Sequence, residues 1–390
     1  MSELSLSGNK RNLAVFAFAA TALTISACSG SGASGSANQA VPGIVRADAT
    51  PPFTWNFRPI DDSTNGNNSR VTGIEDEDVK IVGLNGTTKS DYSSWISNSP
   101  FKTFTLRNYS SGVTYMSSVE GNYQAGTVYN PTTGLGCTTC GFIYHDGAAQ
   151  PWTLLKDPEE TCPVTEVLGL GDEQIIVGYY EVSTTSGCEN RPFEAYNADS
   201  TGESTGETYV DFSVPGEWVS AETTGVNESD DAIGTMTTAS GATTGWFYSD
   251  AYYCIDLQYP YATNTYPMGI NWQDQVVGYF TDSGGNTHGF VLNNPVQSSS
   301  SSQWQQVDYT TTAVASPNAI VSNISDHDWI SGWYKDLSGH DNGFIGECSN
   351  CGDTSVSSAA RARHRIREML AHGETSARCS ATSYKRGKHL

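Results

Sequence analysis

The sequence predicts an all-β fold, a six-bladed β-propeller of four-stranded blades, and three observations predict it. A unit recurs six times between residues 53 and 353, with the period of about 40–50 residues that suits a blade. Each unit divides into four short strand-like segments separated by polar turns. The last unit lacks its fourth segment, and a segment of that kind stands ahead of the first unit.

The repeat is marked by a glycine that ends the second strand, at Gly83, Gly126, Gly178, Gly234, Gly278 and Gly332, with intervals of 43, 52, 56, 44 and 54 residues. Eleven residues beyond four of these glycines lies an aromatic pair, Ser94-Trp95, Gly245-Trp246, Gly289-Phe290 and Gly343-Phe344. Gly141-Phe142 and Pro192-Phe193 sit fifteen and fourteen residues on, which predicts longer loops in units two and three. In unit five the predicted strands are residues 265–270, 275–280, 287–292 and 303–309. Alternation in VDFSV and WQQVDY suits strands with one face between blades and one partly wet. The glycine before the aromatic admits a neighbouring strand, and the aromatic fills the gap between blades.

After Phe344 the sixth unit runs into GECSNCGD with no outer strand, whereas residues 53–61, FTWNFRPID, resemble the outer strands WQQVDY and YYCIDL. The N-terminal strand is therefore expected to complete the sixth blade by pairing around Gly343–Gly346. An open solenoid, the competing architecture for such repeats, has no use for that strand.

Residues 1–27 read as an export signal. Lys10 and Arg11 precede an uncharged, mostly apolar run from Leu13 to Ile25, too short to span a bilayer. Ile25-Ser26-Ala27-Cys28 resembles the lipobox of bacterial lipoproteins. That resemblance implies lipid on the Cys28 sulfur, cleavage after Ala27, and a membrane partner held through several acyl chains such as palmitate. Residues 28–52 then form the lipidated cysteine and a linker, opening with SGSGASGSAN, a flexible Gly/Ser tether. Ser29 stands where an aspartate would retain a lipoprotein at the inner membrane, so the outer membrane or cell surface is expected.

The formal net charge is −22, unevenly placed. Residues 354–390 carry eight Lys/Arg against Glu368 and Glu374, so the propeller itself is far more acidic than the total suggests. Such a surface repels nucleic acid and anionic lipid; a monomer that binds no nucleic acid is expected. In the basic tail, residues 359–372 have helical spacing of Ile366, Met369 and Leu370 within an otherwise disordered composition.

The segments GINWQDQVVGYFTDSGGNTHGF and TTGVNESDDAIGTMTTASGATTGWFY resemble the HAF-repeat extracellular proteins of bacteria, with their Gly-Ile-Asn, Val-Val-Gly-Tyr and His-Gly-Phe signatures. The likeness covers residues 70–347 and is strongest in units four to six. It implies a secreted repeat architecture and supplies no catalytic activity to carry over.

Candidate chemistry is thin. Four of the seven histidines, His145, His288, His327 and His340, lie in the repeats; His288 belongs to the repeat signature and reads as packing or a hydrogen bond rather than a ligand. No esterase, zincin or zinc-type motif is present. Acidic stretches at 75–78, 171–173, 228–231 and 325–328 fall in the first hairpin of their units, but without the spacing or glycine of a calcium loop they read as solvated turns. No catalytic, cofactor or metal residues are expected. Apart from Cys28, the cysteines of an exported chain point to disulfides. Cys137/Cys140 and Cys348/Cys351 are C-x-x-C pairs in blades that are not neighbours, which argues against a shared zinc. The loop entering the first strand and the loop joining strands two and three lie at one end of a blade, so Cys162 and Cys188 are expected to pair; Cys140–Cys162 is the competing bridge.

These readings describe a non-catalytic envelope lipoprotein whose propeller binds glycan, peptide or a neighbouring envelope protein. The rival is an extracellular propeller enzyme, a glycan lyase or hydrolase. It requires acid and base groups to converge at the mouth of the central channel.

Overall fold

The computed structural model describes residues 53–60, 68–75, 80–171, 174–196, 208–211, 218–249, 253–310, 315–316 and 318–350. Cys28, Cys351, the linker before Phe53 and the tail 354–390 lie outside them.

The described residues form six four-stranded antiparallel sheets. An N-terminal strand, β1 (Trp55–Ile60), precedes the first full blade, β2 (Ser69–Ile74), β3 (Lys80–Asn85), β4 (Ser93–Asn98) and β5 (Phe104–Leu106). Blade two is β6 (Val113–Glu120), β7 (Tyr123–Tyr129), β8 (Thr139–His145) and β9 (Trp152–Leu155). Blade three is β10 (Thr165–Leu170), β11 (Ile176–Thr184), β12 (Gly187–Tyr196) and β13 (Thr208–Asp211). Blade four is β14 (Trp218–Val226), β15 (Ala232–Thr238), β16 (Thr243–Ser249) and β17 (Tyr253–Leu257). Blade five is β18 (Asn264–Ile270), β19 (Val276–Thr281), β20 (Thr287–Leu292) and β21 (Trp304–Val307). A short pair, β22 (Tyr309–Thr310) and β23 (Ala315–Ser316), precedes blade six, β24 (Ala319–Ile324), β25 (Trp329–Lys335) and β26 (Asp341–Cys348).

The sixth sheet runs β1-β26-β25-β24, so the N-terminal strand closes the ring as its sequence predicts. Ile60 pairs with Gly343 and Phe57 with Gly346. Phe57 packs edge-on to Phe344 at 5.3 Å, and Ile60 is buried. Pro59, which has no amide to donate, is tolerated because β1 is the outer strand of its sheet.

The marker glycines have a shared physical cause. A Cβ at Gly83, Gly126, Gly178, Gly234, Gly278 or Gly332 would lie 1.9–2.2 Å from the carbonyl oxygen of Arg70, Tyr115, Glu166, Glu222, Tyr266 or Ile320. Directly after the residue facing each glycine, the inner strand carries a β-bulge, which presses that carbonyl inwards. Trp95, Phe142, Phe193, Trp246, Phe290 and Phe344 pair opposite the glycines and are fully buried. The rings of all but Phe193 lie over the missing side chain. The glycine before the aromatic does admit the next blade: a Cβ at Gly245 would strike Pro267, and one at Gly141 would strike Val167.

Hydroxyls at the bulges stitch neighbouring blades together. Thr72 donates to the Met116 carbonyl at 2.6 Å, Ser117 to Val167 at 3.2 Å, and Thr224 to Pro267 at 2.9 Å. Ser322 donates to Val71 at 2.8 Å and so joins blade six to blade one. The apolar core is correspondingly divided into clusters, most of them between adjacent blades.

One expectation needs correction. The extra residues of unit three do not form a loop: they lengthen β11 and β12 into a hairpin whose last pair is Thr184 with Gly187. Cys188 therefore lies within β12 rather than in a connecting loop. The longer connection of unit two, residues 130–138, is a loop as expected.

Candidate functional site

All six inner strands begin at one end of the channel, the end at which β1 finishes. Each contributes the residue whose carbonyl presses on a marker glycine. The result is a ring of Arg70, Tyr115, Glu166, Glu222, Tyr266 and Ile320, one from each blade. The second strands add Tyr179 beside Glu166, Tyr279 beside Tyr266 and Trp333 beside Ile320. Glu166 and Tyr179 are buried, while Arg70, Tyr115, Glu222, Tyr266, Tyr279 and Trp333 are half-buried.

Three ion pairs fix the ring. Arg70 donates from Nε to Asp341 Oδ2 at 2.7 Å, and Lys335 Nζ lies 2.6 Å from Asp341 Oδ1. Burial works against the charge on Arg70, but Asp341 more than offsets it and raises the guanidinium pKa. The Arg70 guanidinium also lies over the rings of Tyr92 at 5.8 Å and Trp333 at 5.5 Å. Lys89 Nζ reaches Glu166 Oε1 at 2.8 Å and sits 4.6 Å from the Tyr129 ring centre. Tyr129 donates its hydroxyl to Glu166 Oε2 at 3.4 Å.

Burial pushes the Tyr115 phenol up to about 12 and raises Tyr129, Tyr179 and Tyr279, so these hydroxyls stay protonated at neutral pH. Burial likewise raises the Glu222 carboxyl, against the hydrogen bond from Asn190 Nδ2 to Oε1 at 2.7 Å.

Two disulfides brace this end. Cys162–Cys188 forms as expected, with Cα atoms 6.2 Å apart, and Cys137 pairs with Cys140 at 5.6 Å; the alternative Cys140–Cys162 bridge does not form. Closing 26 residues of chain contributes about 3 kcal/mol on the chain-entropy account. Cys254 and Cys348 are also disulfide-bonded. Cys162, Cys188 and Glu181 come within 4.8 Å, but two sulfurs already joined to each other are not thiolate ligands.

Next to the ring the channel holds a cavity of about 70 Å³, lined by the bulge residues Thr72, Ser117, Leu168, Thr224, Met268 and Ser322. That is room for a few waters. At its far end, where the first hairpins turn, Asn227 accepts the amides of Ser229 and Asp231, and Asn271 those of Gln273 and Gln275. Asp230, Asp274 and Asp328 take positive φ there. These residues therefore shape tight turns, a role Asn and Asp tolerate well. His288 binds Asp308 at 2.9 Å and stacks on Phe280, a structural role.

Sequence reasoning missed the ring. Its signal is a column twelve residues before the marker glycine, holding Glu166, Glu222, Tyr266 and Ile320, with Arg70 at thirteen and Tyr115 at eleven. Charged and phenolic residues there break the apolar pattern of an inner strand.

No protein-family model matches the chain, and no curated protein matches it. Among solved structures, it is similar to a subtype N11 neuraminidase-like protein of A/flat-faced bat/Peru/033/2010 (H18N11). The match has 11% identity and a TM-score of 0.37, covering 77% of this chain and 95% of that one.

Proposed function

We propose that the chain is a non-catalytic, lipid-anchored envelope protein of HAF-repeat type, and that the mouth of its propeller is a glycan-binding platform. The ring of half-buried tyrosines, tryptophan, arginine and carboxylate carries this reading. Aromatic faces stack on sugar rings, and charged and phenolic groups around them hydrogen-bond sugar hydroxyls. The exported, disulfide-bearing chain and its lipobox support the anchor. The direction of the strands supports the platform: the chain enters the ring at Trp55, beside Cys348, at the end opposite the mouth.

The enzyme reading draws on the meeting of Glu166 and Glu222 at the mouth. It is the weaker one, because glycoside hydrolysis uses two working carboxylates. Glu166 is held by Lys89 and Tyr129, and Asp341 by Arg70 and Lys335.

Cys28→Ser is expected to abolish palmitate labelling and release the protein from the membrane fraction; undiminished labelling would sink the anchor. Full-length protein applied to a glycan array is expected to bind without consuming its ligand. The Tyr266→Ala/Tyr279→Ala variant should lose about tenfold or more in affinity, since each stacking contact contributes on the order of 1 kcal/mol. Undiminished binding by that variant moves the site elsewhere, and shortened glycan products replace the platform by the enzyme.

A further inference from the structure

Glu222 differs from the other carboxylates of the ring. Glu166 and Asp341 each meet a cation. Glu222 instead receives a single hydrogen bond, from the neutral amide of Asn190 to Oε1. Its Oε2 has no hydrogen-bond partner among the described residues and is not sealed from solvent. The hydroxyls of Tyr115, Tyr266 and Tyr279 are in the same position, bonded to nothing described and not enclosed. Tyr279 lies within electrostatic reach of both Glu222 and Tyr115, which stand on blades four and two at the same end of the channel. Tyr266 and Tyr279 stack at 4.5 Å and 14°, a double face on the blade next to that of Glu222.

A partly buried carboxylate with no cation in contact, Lys89 acting on it only from its place on Glu166, is a receptor for a positive group beside tyrosine faces. A carboxylate supplies the Coulomb attraction, and aromatic faces attract ammonium through their quadrupole, more strongly as water is displaced. Burial already holds the Glu222 carboxyl above its ordinary pKa, and an incoming cation relieves that strain. The three open phenols are donors and acceptors for hydroxyls around the cation.

Resting on the glycan reading of the mouth, we infer that the ligand is a glycan with free amino groups, its ammonium docked on Glu222 Oε2 and its ring against Tyr266 and Tyr279. Acetylation of that amine removes the charge and leaves Glu222 unpaired.

The test is titration calorimetry at pH 6.5 on the full-length protein with a β-1,4-glucosamine tetramer and its N-acetylated counterpart. The wild type is expected to bind the amine form about tenfold tighter. In Glu222→Gln, which keeps the shape and the Asn190 hydrogen bond, the two affinities should come within about twofold. Asp146→Asn, changed at a carboxylate outside the ring that pairs with Arg107, should retain the preference. Equal affinities in the wild type, or a preference that survives Glu222→Gln, overturn the inference while leaving the glycan reading intact. Tetralysine binding as tightly as the amine tetramer overturns it too, since charge alone would then be recognised. If neither tetramer binds and no glycan on the array depends on Tyr266 and Tyr279, the glycan reading itself fails.

Discussion

Deleting residues 53–60 should abolish cooperative unfolding of the propeller. The six residues Trp55 to Ile60 pair one for one with Cys348 back to Gly343. They also seal an apolar cluster through Trp55, Phe57 and Phe344. Losing the burial of Ile60 alone forfeits about 1.5–3 kcal/mol, and the bared edge of β26 is a template for association. Such losses are a large part of the 5–15 kcal/mol that holds a typical domain. The expected result is a broad, early urea transition by circular dichroism, with light scattering that rises with protein concentration. A sharp transition at the wild-type midpoint would show that closure by β1 contributes nothing. Phe57→Asp, which leaves the backbone ladder intact, should give an intermediate loss.

The second large effect is expected from one methyl group. In Gly278→Ala the new Cβ would lie 2.0 Å from the Tyr266 carbonyl oxygen and 3.0 Å from the Phe290 ring. Neither can yield cheaply, because the carbonyl is fixed by the bulge between Pro267 and Gly269 and the ring is fully buried. A loss of about 3 kcal/mol or more is expected, the range reached by overpacking combined with backbone displacement. Gly134→Ala is the matched control: nothing lies within 4 Å of its Cβ, so its stability should change by less than about 0.5 kcal/mol. Denaturant midpoints of the two variants decide the matter, and equal midpoints would refute the steric account of the repeat. Because the displaced carbonyl belongs to Tyr266, Gly278→Ala should also weaken glycan binding at the mouth.

The two variants bear on how far the sequence could be read. Repeat number, strand order and ring closure were legible because each rests on a pattern that recurs: a glycine forced by a close carbonyl, an aromatic laid over it, an outer strand missing at one end and present at the other. The Cys162–Cys188 bridge followed from topology alone, although Cys188 proved to lie in a strand because extra residues prolonged a ladder instead of looping out. The mouth was not legible, for the opposite reason. Arg70, Tyr115, Glu166, Glu222 and Tyr266 differ from blade to blade, and a search for likeness discards the positions that vary. Their meeting depends on ring geometry, which brings together residues 44 to 56 positions apart along the chain. The partnering of their carboxylates by Lys89, Asn190 and Lys335 comes from second-to-third connections and the strand residues flanking them, whose lengths the repeat does not fix.

Closure by β1 also sets a timetable. The Ser349 hydroxyl and amide both bond the carbonyl of Thr54 across 295 residues, so the first of the described strands to be synthesised waits for nearly the last of them. Joining ends that far apart costs about 5 kcal/mol of chain entropy, met only when the sixth blade arrives. Until then β1 is an unclaimed strand and blade one has an open flank. A chain ending before Asp341 can never complete its ring. In a crowded compartment, its idle β1 can instead enter the sixth blade of another molecule, joining two chains by exchange of a strand.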